Sequence, residues 1–256
     1  LKRILGSVVA VLALFSTAAA CGDSGDDARG GSARTLTVFA AASLTETFTA
    51  LGKTFEASHD GVQVRFNFGG SSTLAQQIDQ GAPADVFAAA SPATMKTVTD
   101  AGGAAGEPRV FARNRLVIAV PKDDPGKVGD LDDLARSGLK VVLCAEQVPC
   151  GAAAKTALAE GGVKVTPVSR EQDVKAVLTK VRLGEADAGL VYRTDVQASG
   201  GQVKGIAFPE AAKAINDYPI AALAKAPQSG LAKEFVELIL SAQGRGTLTR
   251  AGFEQP

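Results

Sequence analysis

The sequence predicts an α/β fold, and three observations carry that prediction. Short apolar runs alternate with stretches of helical spacing along most of the chain. Several runs end on small residues where the next helix begins, which is how a strand-to-helix turn reads in a parallel sheet covered by helices. The chain has 256 residues, 46% of them hydrophobic, enough to bury a proper core.

Taken in order, residues 36–41 are a short apolar run ending at small residues. The next stretch, 44–58, sets Leu44, Phe48, Leu51 and Phe55 at helical spacing, and 62–68 alternate as a strand does. Together these form a β-α-β unit. A helix is expected after Ser71, a strand over 85–90, a helix after Pro92, and strands over 116–120 and 140–145. Helices near 151–160 and 172–183, with strands over 188–192 and 220–223, continue the pattern. No internal repeat of solenoid period is visible.

Lys2 and Arg3 precede an apolar stretch over 4–20, which gives way to "TAAACGDSGDDARGGS", the order of a secretory signal. The small residues before Cys21 resemble the bacterial lipobox, in which the cysteine is acylated and becomes the mature N-terminus. Ala18 stands where that motif usually has Leu. The other reading, a transmembrane anchor, is opposed by Gly6, Ser7, Ser16 and Thr17, which leave the segment weak and short for a span. In either case the body of the protein is expected outside the cytoplasmic membrane. Residues 21–35, rich in Gly, Asp and Ser, bury too little to fold and are expected to be a flexible tether.

Lys+Arg and Asp+Glu number 27 each, so no net field gathers nucleic acid, and no basic run occurs in the mature chain. One histidine and no Cys/His cluster cannot build a transition-metal shell.

The chemistry gathers at helix starts. Ser43 ends the first strand, and Ser71, with Ser72 and Thr73, follows the second. A helix N-terminus offers unpaired N–H groups and about half a positive charge, so it binds anions without a cationic side chain. Hydroxyls there can donate to an oxyanion, with Gly69 and Gly70 letting the backbone come close; they can equally be plain N-caps. "CAEQVPCGAAAKTAL" opens a third helix on small residues from Cys150, and "SREQDVKAVLTKV" opens a fourth near Asp173 and Val174. Asp173 is expected to cap its own helix.

"LTVFAAASLTETF", "FNFGGSSTLAQQIDQGAPADVFAAAS", "LVIAVPK", "VPCGAAAKTAL" and "GLVYRTDV", in that order from about residue 36, resemble the periplasmic molybdate-binding proteins of ABC importers. The resemblance implies a two-lobed, type II periplasmic-binding-protein fold, each lobe a mainly parallel sheet flanked by helices. It implies no enzyme and no cofactor, but capture of molybdate or tungstate and delivery to a membrane permease by a lipid-anchored monomer. Carried over, the oxyanion ligands are the hydroxyls of Ser43, Ser71 and Tyr192 and backbone amides at Cys150 and Val174. Metal enters only as the molybdate those residues hold. Cys150 stands where alanine is common, which leaves an amide role intact. Lobe 1 is expected over 36–117 and 220–256 and lobe 2 over 118–219, with crossings near 113–120 and 217–223.

Molybdate at neutral pH is a fully deprotonated dianion whose oxygens only accept, so a shell of donors suits it, while hydrogen phosphate would need an acceptor. Cys144 and Cys150 flank one loop; an oxidising compartment permits a disulfide between them, and two separate buried thiols are the alternative. Two rivals remain. A secreted serine hydrolase would use Ser43 or Ser71 with His59 as base, but there is no G-x-S-x-G elbow and His59 lies at a polar helix end. A binding protein for another oxyanion such as sulfate would share the fold and the donors.

Overall fold

The computed structural model describes residues 34–256. The signal segment 1–20, Cys21 and all but the last residues of the 21–35 tether lie outside the described residues.

The chain begins with β1 (Arg34–Ala41), a 3₁₀ turn (Ala42–Leu44), α1 (Thr45–Ala57), β2 (Val62–Gly69) and α2 (Ser71–Asp79). It continues through β3 (Val86–Ala88), α3 (Pro92–Asp100), β4 (Arg109–Asn114), β5 (Leu116–Pro121), β6 (Val141–Cys144) and α4 (Pro149–Glu160). There follow β7 (Ser169–Glu171), α5 (Val174–Arg182), β8 (Ala188–Tyr192), α6 (Arg193–Ala198) and β9 (Val203–Ile206). The chain closes with β10 (Asn216–Ala222), α7 (Ser229–Leu240) and α8 (Ala242–Arg250).

These strands form two five-stranded sheets, ordered β2-β1-β3-β10-β4 and β7-β6-β8-β5-β9. Both sheets are mainly parallel, as the alternation predicts, and each is made mixed by one reversed strand. In the first, β1 runs parallel to β2 and β3, whereas β10 is antiparallel to β3 and β4. The second repeats this: β6 is parallel to β7 and β8, and β5 is antiparallel to β8 and β9. The cause is the connections. Helical crossovers return a strand in the same direction. β4 and β9 also follow helical crossovers, through α3 and α6, and run with the parallel strands, whereas β5 and β10, which come directly after the two passages between sheets, are the reversed ones.

Sheet membership changes at Arg115, between β4 and β5, and again over 207–215, between β9 and β10. The expected divisions after 117 and before 220 fall inside β5 and β10, each of which belongs wholly to one sheet.

Each sheet carries its own core. On β1, Leu36, Val38 and Ala40 pack on one face with Phe48, Leu51 and Phe55 of α1, while Phe39 packs on the other with Leu74 and Met95. Burial on both faces explains why β1 reads as a continuous apolar run. Phe235 of α7 ties this core together, its ring centroid 6.0 Å from that of Phe48 and 5.4 Å from that of Phe55. The second sheet has a separate core drawn from β5, β6, β8, α4 and α5.

Candidate functional site

The parallel register of β1 and β2 sets Ala41 opposite Gly69, so both strands end together and the helices that follow start side by side. The carboxyl ends of β6, β7 and β8 do the same in the second sheet. The two sets of ends face each other across one small cavity of about 20 Å³. A single ordered water needs about 10–15 Å³ on the same measure, so the space suits a species of a few atoms and no organic substrate. From the first sheet it is lined by Ala42, Ser43, Gly70 and Ser71, and from the second by Pro149, Cys150, Asp173, Val174 and Tyr192. Ser43, Ser71, Cys150, Val174 and Tyr192 thus meet at one place.

Neither serine is an N-cap. The cap of α2 is Gly70, with no side-chain bond, and the 3₁₀ turn that carries Ser43 starts from Ala41. Instead, Ser71 Oγ accepts the N–H of Ala90 at 3.0 Å, which leaves its own proton unused. Ser43 Oγ is hydrogen-bonded to Tyr218 Oη at 2.9 Å. Both serines are buried.

The third helix start is built by the loop before it. Pro149 opens α4, and no side chain caps the helix. The next amides, Cys150 and Gly151, have no carbonyl partner within the helix, as at any helix start. Cys144 and Cys150 are bridged, with S–S 2.05 Å and Cα–Cα 5.8 Å, closing the loop between β6 and α4. The fold-back is tight: a Cβ on Gly151 would stand 1.8 Å from the Ala145 carbonyl oxygen, so glycine is required there. The fourth start is α5. Asp173 caps it, accepting the Ala176 N–H at 3.0 Å, which turns the one carboxylate that lines the cavity among the described residues onto its own helix.

Tyr192 ends β8. Its ring is fully buried, and Oη has no hydrogen-bond partner among the described residues. A buried, unpaired phenol costs about 1–3 kcal/mol, a penalty that an acceptor in the cavity would relieve. Burial, with Tyr218 and Asp195 nearby, holds this phenol well above its ordinary pKa, so it stays a donor. Behind it, Asp195 Oδ2 accepts the Tyr192 N–H at 3.1 Å and Oδ1 lies 3.3 Å from Lys175 Nζ. Burial pushes the Asp195 carboxyl up to about 6, against the opposing pull of Lys175. Lys175 also reaches Glu46 of α1 at 2.8 Å, joining helices on opposite sides of the cavity.

Among the described residues no Lys, Arg or His lines the cavity. What lines it are hydroxyls and helix starts, donors without a formal cation. The two sides also touch directly. Ser72 Oγ donates to the Gln147 carbonyl at 2.9 Å, and Asn216 Nδ2 donates to the Pro149 carbonyl at 3.5 Å.

His59 lies beyond the C-terminal end of α1, whereas Ser43 precedes its N-terminus; thirteen helical residues put them roughly 20 Å apart. The imidazole contacts the Phe55 carbonyl and Glu234, both at 2.8 Å. The serine-histidine pair of a hydrolase is therefore not assembled. Two residues behind the cavity escape a sequence reading: Tyr218, which looks like one more apolar strand position, and Asp195, which looks like an ordinary first-turn acid.

Comparison with known proteins follows this geometry. The sequence profile of the family described as "Bacterial extracellular solute-binding protein" matches residues 36–254. The chain is 46% identical over 224 residues to the molybdate-binding protein ModA of Mycobacterium tuberculosis, covering 88% of this chain and 86% of the relative. It is 31% identical to the putative ABC transporter substrate-binding lipoprotein YvgL of Bacillus subtilis, covering 96% of each. The periplasmic molybdate-binding protein of Azotobacter vinelandii superposes with a TM-score of 0.76 at 21% identity, covering 86% of this chain and 99% of that one.

Proposed function

The chain belongs to the family of bacterial extracellular solute-binding proteins, and from that premise we propose that its cavity captures molybdate and hands it to the permease of an ABC importer. Members of this family are exported carriers, not enzymes, and need no cofactor. The observation that carries the reading is Tyr192, a buried phenol held protonated and left without a hydrogen-bond partner among the described residues, where two serine hydroxyls and two helix starts also converge. An acceptor-only tetrahedral dianion fits such a shell. Ser43, Ser71 and Tyr192 donate from hydroxyls, and Cys150 and Val174 from backbone amides. Tungstate, of the same charge and shape, is a second cargo of the same site.

The relatives support the choice of molybdate. ModA proteins bear its name at 46% identity over nearly the whole length. Likeness to a lipoprotein over 96% of the chain also supports acylation at Cys21, which would hold the protein as a monomer on the outer face of the cytoplasmic membrane. Residues 36–114 with 216–256, and 116–206, would act as lobes closing on the anion about the crossings at Arg115 and 207–215.

Thermal melting with candidate anions tests the reading, because a ligand that binds only the folded form raises the melting temperature. Molybdate and tungstate are expected to raise it and hydrogen phosphate to leave it unchanged. An equal shift with phosphate would refute the donor-only site.

A further inference from the structure

We infer that Tyr218 is a positioning residue of the anion site: its hydroxyl donates to Ser43 Oγ and thereby turns the Ser43 proton into the cavity. The inference rests on the oxyanion reading above and adds the group that enforces its selectivity. Tyr218 is fully buried on β10 and does not line the cavity, whereas Ser43 does. Their oxygens are 2.9 Å apart, and Ser43 Oγ is the hydrogen-bond partner that Tyr218 Oη has. Two directions are possible for that bond. If Ser43 donated, the Tyr218 proton would be left only the neighbouring Tyr192 hydroxyl, which lies outside normal hydrogen-bond geometry, at a cost approaching that of a lost hydrogen bond. If Tyr218 donates, its own proton is satisfied and the Ser43 proton is free to point at the ligand. Burial raises the Tyr218 pKa, so the phenol keeps the proton it must place.

Ser71 is treated the same way by a different donor, the Ala90 N–H at 3.0 Å. Each serine oxygen is thus occupied by a fixed donor from behind. A hydroxyl so placed has one lone pair taken from behind and its proton aimed into the cavity, so it meets an accepting ligand oxygen better than a ligand proton. Such a shell accepts fully deprotonated oxyanions and rejects those that carry a proton, through the partner left unpaired.

The test is a double-mutant cycle on anion affinity, with Tyr218→Phe, Ser43→Ala and the double variant, using molybdate and hydrogen phosphate as probes. Tyr218→Phe keeps the ring and is expected to weaken molybdate about five- to tenfold, part of the effect of losing a hydrogen bond to a charged group. It should also narrow the gap between molybdate and phosphate, since Ser43 can then turn and accept. In the Ser43→Ala background the same change should cost less than about twofold, because Tyr218 acts through Ser43. An equal loss in both backgrounds, or an unchanged preference in Tyr218→Phe, overturns the inference. If the protein instead prefers sulfate, the molybdate reading fails while the cycle, run with sulfate, still decides this one. Should Tyr218→Phe not fold, proton NMR of the unaltered protein decides. A slowly exchanging Tyr218 hydroxyl proton directed at Ser43 in the anion complex supports the assignment, and one directed elsewhere refutes it.

Discussion

The backbone carbonyl of Gln172 lies so close to the Cα of Gly70 that a Cβ there would stand 2.3 Å from its oxygen. Gly70 belongs to the first sheet's side of the cavity and Gln172 to the second's, so the two sides meet backbone to backbone. The glycine serves that approach across the cavity more than any approach to the anion. Gly70→Ala is expected to leave each sheet folded but to hold the sides apart. Overpacking of this kind costs about 1–3 kcal/mol, which is roughly 5- to 150-fold in affinity. Calorimetric titration, with the ligand-free melting curve as control, separates lost closure from lost folding.

Ser71→Ala removes a donor to the anion and also the acceptor for the Ala90 N–H. The first loss is expected to weaken molybdate by about 1.5–3 kcal/mol, or roughly 10- to 150-fold. The second lowers stability by about 1–3 kcal/mol through the unpaired amide. A well-folded variant that loses less than about threefold in affinity, under roughly 0.7 kcal/mol, would remove Ser71 from the site.

The Cys144–Cys150 bridge closes a short loop, so its effect on the unfolded chain is modest, about 2 kcal/mol in the chain-entropy account. Exported protein alkylated without reductant should show neither cysteine modified by mass spectrometry. Reduction should lower the melting temperature by roughly 4–8 °C for a protein of this size. It should weaken anion binding as well, because the loop carries the start of α4.

Asp195 should leave a signature in the pH dependence of stability. Its folded pKa of about 6 lies above the ordinary aspartate value of 3.8, because burial penalises the charged form more than Lys175 favours it. The folded protein therefore binds the extra proton between these values. This contribution is fully present below about pH 4 and is lost as pH rises through about 6. Glu254 and Glu171, held low by Arg115 and Lys180, act in the opposite sense, losing their contribution as pH falls through their depressed values. The group faces Lys175, Glu46, Tyr192 and Tyr218, so the comparison must isolate it. The stability difference between the unaltered protein and Asp195→Asn, from denaturant midpoints, should change across pH 4–6 and be flat above pH 7.

What the sequence made legible were signals local in the chain. Strand ends followed by small residues located Ser43, Ser71 and Cys150, because a strand-to-helix turn is written in about ten consecutive residues, whereas Val174 was marked only by a helix start and by the family resemblance. The reversed strand in each sheet was not legible in this way, since β5 and β10 owe their direction to the two passages between sheets. The three-residue β7 and the half-exposed β9 are too short or too polar to stand out. Helix α7 is different: Leu231, Phe235 and Ile239 have the spacing of α1 and are readable by the same rule. Tyr218 was beyond reach for another reason. Its partner Ser43 is 175 positions away, and only the placing of β10 within the first sheet brings the two hydroxyls together.

The central claim is that the cavity is a donor-only site for a fully deprotonated oxyanion, and one titration tests it most directly. Molybdate is titrated calorimetrically into the unaltered protein and into Tyr192→Phe, whose ring fills the same space without the unpaired hydroxyl. The account predicts tight one-to-one binding by the unaltered protein and a loss of about 10- to 150-fold in the variant, the effect of one hydrogen bond to a charged group. Equal affinity in the two proteins, or no molybdate binding by the unaltered one, would contradict it.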